Sequence, residues 1–353
     1  MNRWLSLAVA FLVVACSPDQ SGGDGKAAST GSVDLTGAGA TFPYPLYSKW
    51  FSDYANTKNV RINYQSIGSG GGIRQFSEGT VDFGATDSPM TDEEMGKAKG
   101  AVLHIPTVLG AIAIIYNLPG LSAPLNLTGD LLADIFLGRV TKWNDARIAA
   151  LNAGVALPAT DILVVHRSDG SGTTFVFTDY LAAVSPAWVA GPGRAKEVPW
   201  PIGLGGKGNE GVSGQVKQTP GAIGYVELAY AKQNQLAFAA IRNAAGQFVL
   251  PSPDGMTAAA ASASASLPAD TDYRISIVNA QGAQSYPISS FTWILAYAQQ
   301  SDSVKGRKLV DFLRWALTEG EKQAATLDYA PLPASMVTTL QGRLDSIRIG
   351  STP

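Results

Sequence analysis

Short apolar segments alternate with segments of helical periodicity along most of this chain. Residues 60–64 alternate apolar and polar side chains as a half-buried strand does, and residues 108–116 form the continuous apolar run of a strand buried on both faces. Apolar and aromatic side chains recur at helical spacing in residues 44–54 and 309–317. This alternation predicts α/β architecture with largely parallel sheets.

Short apolar runs between turn residues predict five further strands. They lie at residues 33–36, 81–85, 162–165, 222–226 and 291–297. Two further helices are expected, one that begins at Ile73 and one that runs through Phe175 and Leu181. The small, low-complexity segment at residues 257–269 is interpreted as a surface insertion or the flank of a helix.

The composition indicates a folded protein with a sizeable core and limits its partners. The chain has 353 residues, of which 46% are hydrophobic and 15% are charged, so about two domains are expected. A net charge of −2 argues against a nucleic-acid-binding protein, which usually carries a basic surplus. Two histidines exclude a histidine-rich metal cage, and the single cysteine excludes an internal disulfide.

The N-terminus carries the pattern of an export signal. Arg3 supplies a positive charge, and residues 4–15 form an apolar run that is shorter than the roughly 20 residues a membrane span needs. The run ends in the sequence VVAC, which resembles a bacterial lipobox. We therefore interpret residues 1–16 as a lipoprotein-type signal peptide that ends at Cys16, and residues 17–33 as a flexible tether. The alternative is an ordinary cleaved signal in which Cys16 is incidental.

Three turns rich in Gly, Ser and Thr each join a predicted strand to a predicted helix. They lie at residues 39–43, 68–72 and 169–174. A helix begins with four main-chain N–H groups that have no partner inside the helix, and these donors together with the helix dipole favour an anion. Ligands of open α/β sheets bind outside the carboxyl ends of the strands, where these turns lie. Three ordinary Ser/Thr helix caps are the alternative interpretation.

Three charged residues near these turns indicate which anion suits the site. Arg167 supplies a cation just before the third turn, and Asp169 is close enough to hold its guanidinium while leaving donors for the ligand. Asp87 follows a predicted strand and would repel an anion that carries no proton. A carboxylate at this place suits hydrogen phosphate or dihydrogen phosphate, whose proton it accepts, and it rejects fully ionised sulfate.

Two patterns typical of enzymes are present, but each is weak evidence for an enzymatic function. Residues 203–208 satisfy G-x-G-x-x-G but follow the sequence PWP rather than a clean strand, so a dinucleotide site is not expected. His166, Asp169 and Ser171 are residue types of a hydrolase triad. They share one short turn, however, whereas a working triad gathers its residues from separate segments. His104 is interpreted as a structural residue.

Six motifs together resemble the periplasmic phosphate-binding protein of ABC-type phosphate importers. They are TGAGATFP at 36–43, IGSGGG at 67–72, VDFGATD at 81–87, RSDGSGT at 167–173, the segment 200–208, and PGAIGYV at 220–226. The resemblance preserves motif order and runs from Leu35 to about Pro333. It implies an α/β, two-lobed type II periplasmic-binding-protein fold with a central cleft and crossing hinge strands. Residues 34–112 and 290–353 would form lobe 1, and residues 113–289 would form lobe 2.

The same resemblance implies a set of phosphate-binding residues. By motif they are Thr41, Phe42 through its main-chain N–H, Ser69, Asp87, Arg167, Ser171, Gly172 through its main-chain N–H, and Thr173. Asp169 corresponds to the aspartate that braces the arginine. Two positions depart from the family pattern: His166 stands where an arginine often precedes Arg167, and Gly70 stands where a serine is expected.

The expected function is to bind inorganic phosphate outside the inner membrane and to deliver it to an ABC permease made of two transmembrane subunits and an ATPase pair. No catalytic residue, cofactor or metal is expected. The protein is expected to be a periplasmic monomer that meets the membrane only through a lipid at Cys16. One alternative is a receptor for sulfate or molybdate, which Asp87 disfavours. The other is a secreted phosphate-handling enzyme, for which two histidines supply few metal ligands.

Overall fold

The computed structural model describes residues 34–121, 123–264 and 271–350. The predictions for the signal peptide, Cys16 and the tether lie outside the described residues. Within them, no helix is both long enough and apolar enough to cross a membrane. The described part of the low-complexity segment belongs to a helix on which Ala259 and Ala260 are buried. Of the two interpretations of this segment, the helical one therefore holds for the described part.

Strands and helices alternate over most of the described chain. The strands are β1 (Leu35–Gly39), β2 (Ile62–Ser66), β3 (Phe83–Thr86), β4 (Val102–Tyr116), β5 (Asn126–Leu127), β6 (Leu163–Arg167), β7 (Leu204–Gly206), β8 (Ala222–Glu227), β9 (Ala237–Phe238), β10 (Ala240–Arg242), β11 (Phe248–Val249), β12 (Ser289–Tyr297), β13 (Gln299–Gln300) and β14 (Arg348–Ile349). The helices are α1 (Tyr44–Lys58), α2 (Ser69–Glu78), α3 (Asp92–Gly96), α4 (Gly129–Phe136), α5 (Ala146–Leu151), α6 (Gly172–Val184), α7 (Pro186–Ala190), α8 (Gly208–Gln218), α9 (Leu228–Gln233), α10 (Pro253–Ser264), α11 (Ser303–Trp315) and α12 (Ala334–Asp345). A π-helical turn (Ala316–Gly320) and a 3-10 helix (Glu321–Leu327) continue α11.

The main sheet is mixed. Its strand order is β2-β1-β3-β12-β4-β8-β6-β7, with β9 also paired to β4. At one end β1 pairs in parallel with β2 and β3, and at the other end β6 pairs in parallel with β7 and β8. The central strands β4 and β12 run antiparallel to their neighbours. The prediction of largely parallel sheets is therefore wrong for the centre, because there the chain passes between the two parallel halves and returns.

Strand β4 joins the two halves because it pairs with a different strand along each part of its length. Residues 102–111 pair with β12, and residues 112–116 pair with β8. From His104 onward every residue of β4 is buried, as its apolar run predicts. A single continuous strand thus connects the two groups of parallel strands.

The strand β4 begins at Val102, well before the predicted apolar run, because the polar residues of its first part find buried partners. His104 Nε2 accepts a 3.0 Å hydrogen bond from the main-chain N–H of Met90. Thr107 Oγ1 lies 2.6 Å from the hydroxyl oxygen of Tyr47. Burial lowers the pKa of His104 to about 3, so the ring is neutral. These bonds support the interpretation of His104 as a structural residue.

The first two turns of the sequence analysis lie differently from the prediction. β1 extends to Gly39, the first residue of the predicted turn, and the strand packs closely: a Cβ on Gly37 would lie 2.2 Å from Phe83 Cζ, and one on Gly39 would lie 2.0 Å from the carbonyl oxygen of Ala85. α2 begins at Ser69 rather than at Ile73. The glycines of this motif are therefore inside the first turn of α2, which lets the helix pack tightly on β1 and β3.

Aromatic side chains build a core in each half. Phe51, Phe83 and Phe312 join α1, β3 and α11, with ring centroids 5.5–6.5 Å apart. In the other half, Phe177 lies 4.8 Å from Phe136 on α4 and 4.3 Å from Tyr225 on β8. Each such buried ring stabilises the fold by about 1.5–3 kcal/mol. Both ends of β4 are thereby held in a packed framework, which positions the turns at the strand ends.

Candidate functional site

The three predicted turns follow β1, β2 and β6 at the carboxyl ends of parallel strands. The main-chain N–H of Gly70 donates a 2.8 Å hydrogen bond to the carbonyl oxygen of Gly170. A Cβ on Gly68 would lie 2.4 Å from Asp169 Oδ2, and its φ of +84° suits glycine. The second and third turns are therefore in direct contact.

All eight predicted binding residues are buried. They are Thr41, Phe42, Ser69, Asp87, Arg167, Ser171, Gly172 and Thr173. Buried polar groups are nearly always hydrogen-bonded, so a missing partner indicates a place for a ligand. In the described part of the chain, no hydrogen bond uses the main-chain N–H of Phe42 or Gly172, the two predicted main-chain donors. Both groups are thus available to an acceptor.

The guanidinium of Arg167 is held by the Asp169 carboxylate. Arg167 Nε donates to Oδ1 at 2.8 Å, Nη2 donates to Oδ2 at 2.5 Å, and Nη1 donates to Thr173 Oγ1 at 3.2 Å. Burial raises the pKa of Asp169, but the hydrogen bonds and charge of Arg167 outweigh it and bring the pKa below its ordinary value. An arginine has five N–H donors, so the two that remain can serve an anion.

Asp87 follows β3 and is a buried carboxyl. Thr292 Oγ1 donates to Asp87 Oδ1 at 2.8 Å, and the main-chain N–H of Asp87 donates to Ser69 Oγ at 3.1 Å. Burial raises the pKa of Asp87 to about 7, although Thr292, Arg167 and Ser69 each oppose the shift. The carboxyl therefore changes its protonation in the same pH range as phosphate. No local sequence pattern indicates that Thr292 belongs to the site, because a single hydroxyl residue in a buried strand has no distinctive neighbours.

Three tyrosine hydroxyls bind consecutive carbonyl oxygens of the first turn. Tyr64 donates to Ala40 at 2.8 Å, Tyr230 to Thr41 at 2.7 Å and Tyr329 to Phe42 at 2.6 Å. These bonds occupy the turn's acceptors and leave its N–H side for a ligand. No sequence motif marks these three tyrosines, which come from distant segments of the chain.

A fourth strand-to-helix turn, in the segment where no dinucleotide site was expected, supports the site. The G-x-G-x-x-G segment contains β7 and the first residue of α8, Gly208. The main-chain N–H of Gly208 donates to Asp169 Oδ1 at 3.0 Å. The next residue, Asn209, donates through its side chain to Thr41 Oγ1 at 2.7 Å. These N-terminal donors of α8 therefore bind the residues around the site instead of a dinucleotide.

His166 lies in β6, and its ring stacks on Trp200 with a centroid distance of 4.8 Å. Burial lowers the pKa of this histidine, which is neutral at pH 7. Across residues 34–121, 123–264 and 271–350, no group of three or more His, Cys, Asp or Glu residues is arranged to hold a metal ion.

Comparison with known proteins gives the family. A model of the PBP superfamily domain matches residues 24–319. The phosphate-binding protein PstS of Xylella fastidiosa is 45% identical over 350 residues, which cover 96% of this chain and 95% of the relative. The PstS of Pasteurella multocida is 46% identical over 318 residues, covering 90% and 91% respectively.

Solved structures show the same two-lobed fold. A periplasmic phosphate-binding protein, PfluDING, solved with phosphate, has a TM-score of 0.70 at 23% identity and covers 88% of this chain and 93% of its own. The phosphate-binding protein of Stenotrophomonas maltophilia has a TM-score of 0.69 at 20% identity and covers 88% and 94%. The expected fold class is confirmed, and the chain belongs to the PBP superfamily and, within it, to the family of PstS phosphate-binding proteins.

Proposed function

We propose that this protein binds inorganic phosphate outside the inner membrane and delivers it to an ABC-type phosphate permease. The observation that carries the proposal is the buried site in which a braced arginine and an aspartate lie among helix N-termini. Arg167 supplies positive charge, and Asp87 supplies a carboxylate that only a protonated oxyanion can approach. The relatives that the chain matches over most of its length are named phosphate-binding proteins.

Each proposed binding residue has a distinct task. The main-chain N–H groups of Phe42 and Gly172 donate to phosphate oxygens, as do the hydroxyls of four residues. These residues are Thr41, Ser69, Ser171 and Thr173. Ser171 also caps α6, because its Oγ accepts a 3.0 Å bond from the N–H of Thr174. Arg167 contributes its two remaining N–H donors, and Asp87 accepts the proton of the ligand.

The site opens and closes by movement of two lobes. Lobe 1 comprises residues 34–112 and 290–353, and lobe 2 comprises residues 113–289. The change of partner along β4, from β12 to β8 after Ala111, supports a boundary at this place. A buried site is accessible only when the lobes separate, and a ligand that contacts both lobes favours the closed state. Small-angle scattering should therefore show a smaller radius of gyration with phosphate, and an unchanged radius would contradict the lobe movement.

We further propose that the protein has no catalytic activity and needs no cofactor. Ligand-stripped protein should retain radiolabelled phosphate in equilibrium dialysis and should leave a chromogenic phosphate ester intact. Arg167→Ala should lose the retained label. Retention of sulfate in preference to phosphate would favour the alternative receptor class, and sustained ester hydrolysis by pure protein would favour an enzyme.

The proposed location is the periplasm, with a lipid on Cys16 as the membrane anchor and the protein acting as a monomer. Intact-mass analysis of protein extracted from membranes should show a lipidated N-terminus at Cys16. A mature form cleaved elsewhere would contradict the anchor. Deletion of the gene should abolish high-affinity phosphate uptake by a permease of two transmembrane subunits and an ATPase pair, and the wild-type gene should restore it.

A further inference from the structure

We propose that Asn209 is a positioning residue that makes the hydroxyl groups of Thr41 and Thr173 donate to the bound anion. The inference rests on the proposed phosphate site and extends it by a residue that the sequence motifs do not mark as a ligand. Asn209 is the second residue of α8 and is fully buried. Its side chain contacts residues from both sides of the site.

The orientation of the Asn209 amide follows from its hydrogen bonds. Its Oδ1 accepts a 2.9 Å bond from the main-chain N–H of Glu227, so the oxygen must face that donor. A flipped amide would bring an NH2 group against the Glu227 N–H, two donors without an acceptor. The Nδ2 atom consequently faces the two threonines, at 2.7 Å from Thr41 Oγ1 and 3.2 Å from Thr173 Oγ1.

These bonds fill the acceptor capacity of both hydroxyls. A threonine hydroxyl has two lone pairs and one hydrogen. Thr41 Oγ1 accepts from the side-chain and main-chain nitrogens of Asn209, at 2.7 and 3.3 Å. Thr173 Oγ1 accepts from Asn209 Nδ2 and from Arg167 Nη1, each at 3.2 Å. Each hydroxyl therefore has only its hydrogen left, and no hydrogen bond within the described residues takes either one.

The arrangement decides where the ligand's own proton lies. A P–O–H group facing Thr41 or Thr173 would meet a hydroxyl that cannot accept its hydrogen. Unprotonated phosphate oxygens are suited to these two positions, and the protonated oxygen is directed to Asp87, which can accept. Asn209 thus selects the orientation of the anion without touching it.

The same contacts link the orientation of the Thr41 hydroxyl to closure of the two proposed lobes. Thr41 belongs to proposed lobe 1, whereas Asn209 and Thr173 belong to proposed lobe 2. The bonds from Asn209 to Thr41 exist only when the lobes are together. The Thr41 hydroxyl therefore acquires its donor role as the site closes around the ligand.

A double-mutant cycle on phosphate affinity tests this role. Asn209→Ala removes the amide, and Thr41→Val replaces the hydroxyl by a methyl group of similar size. Each single change should weaken phosphate binding roughly tenfold, the effect of one hydrogen bond to a charged ligand. Because Asn209 acts through Thr41, the combined loss should fall clearly short of the product of the two single losses. Independent, multiplicative losses would overturn the inference.

A spectroscopic readout separates positioning from a purely structural effect. In the wild-type phosphate complex, the hydroxyl protons of Thr41 and Thr173 should be protected from exchange and coupled to the phosphorus nucleus in NMR spectra. Both signals should be lost from Asn209→Ala at saturating phosphate. Their absence from a phosphate-bound wild type, or their survival in the variant, would overturn the inference.

Asn152 provides a matched control. It too is a buried asparagine, whose Nδ2 donates to the carbonyl oxygens of Asn126 and Ile148 at 3.0 and 2.9 Å, away from the site. Asn152→Ala should lower the melting temperature and leave phosphate affinity unchanged. If Asn209→Ala does not fold, Asn209→Ser, whose side chain is too short to bridge the threonines, takes its place. A wild type that binds no phosphate would refute the proposed function itself, whereas binding with multiplicative losses refutes only the role of Asn209.

Discussion

A Cβ atom added to Gly172 would lie 2.6 Å from Asp87 Oδ2, so the N-terminus of α6 lies directly against this carboxyl group. The two residues belong to different proposed lobes. The contact brings the positive end of a helix dipole to a buried carboxyl. It also means that any side chain at position 172 would separate the lobes or occupy the space of the anion.

Gly172→Ala should weaken phosphate binding roughly 10- to 100-fold, as expected for a methyl group forced into a packed site. The added Cβ would also lie 2.4 Å from Ser69 Oγ and 2.7 Å from Asp87 Cβ, and both of these residues are buried. Isothermal titration measures the loss. Gly214→Ala in α8 is the control, since its Cβ would meet nothing within 4 Å, and it should bind phosphate as the wild type does. Equal affinities for all three proteins would contradict the closed geometry.

Arg167→Ala should weaken phosphate binding by about 2–5 kcal/mol, as for truncation of one partner of a buried charge pair. The substitution removes the cation and also leaves Asp169 as a negative charge without its partner. Titration of the variant against Arg194→Ala provides the comparison, because Arg194 pairs with Asp179 and has a side chain that is 53% exposed. Arg194→Ala should bind normally. Phosphate affinity of Arg167→Ala within threefold of the wild type would show that helix N-termini suffice.

Asp87→Asn should relax selectivity more than it reduces phosphate affinity. Sulfate brings an oxygen without a hydrogen against the Asp87 carboxylate, and a site built around a ligand hydroxyl can reject such an analogue by roughly 10⁴–10⁵-fold. The amide removes the negative charge and adds a donor, so sulfate binding should rise markedly while phosphate binding falls modestly. Competitive titration at pH 8, where Asp87 is ionised, should show arsenate following phosphate in both proteins. A variant that still excludes sulfate as strongly would show that Asp87 is not the selectivity element.

Asp87 should also make folding stability depend on pH. Burial raises the pKa of Asp87 from 3.8 to about 7, so the native state holds this proton more tightly than the unfolded chain does. The contribution of Asp87 to the free energy of unfolding is fully present below about pH 4. It decreases as the pH rises towards 7 and no longer changes above that pH. The free energy of unfolding of Asp87→Asn, relative to that of wild type, should rise by on the order of 2–3 kcal/mol between pH 5 and pH 7. Urea unfolding in phosphate-free buffer measures this difference, in which the other titrating groups cancel. A stability difference between the two proteins that does not vary with pH would contradict the raised pKa of Asp87.

Local patterns predicted much of the site because its main parts lie in short contiguous motifs. Arg167 and Asp169 are two residues apart, and their salt bridge forms as expected. The turns after β1, β2 and β6 are marked by their glycines and hydroxyl residues. The element bounds were less exact: β1 extends to Gly39, and the glycines at α2 resemble a turn although they begin a helix at Ser69.

The residues that support the site could not be predicted in this way. Thr292 reaches Asp87 from a strand 205 positions along the chain, and Asn209 reaches Thr41 from 168 positions away. The first contact depends on the antiparallel pairing of β12 with β3, and the second depends on the approach of the two proposed lobes. No local pattern encodes either one. The antiparallel pairing of β4 with β12 and β8 was missed for the same reason: a buried apolar run does not reveal the direction of its neighbours.

Calorimetric titration of phosphate and sulfate into the ligand-stripped full chain tests the central claim most directly. At pH 8, where Asp87 is ionised and phosphate still carries a proton, the expected result is saturable binding of one phosphate per chain and no detectable heat of binding with sulfate at the same concentrations. Absence of phosphate binding, or sulfate binding as tight as that of phosphate, would contradict it.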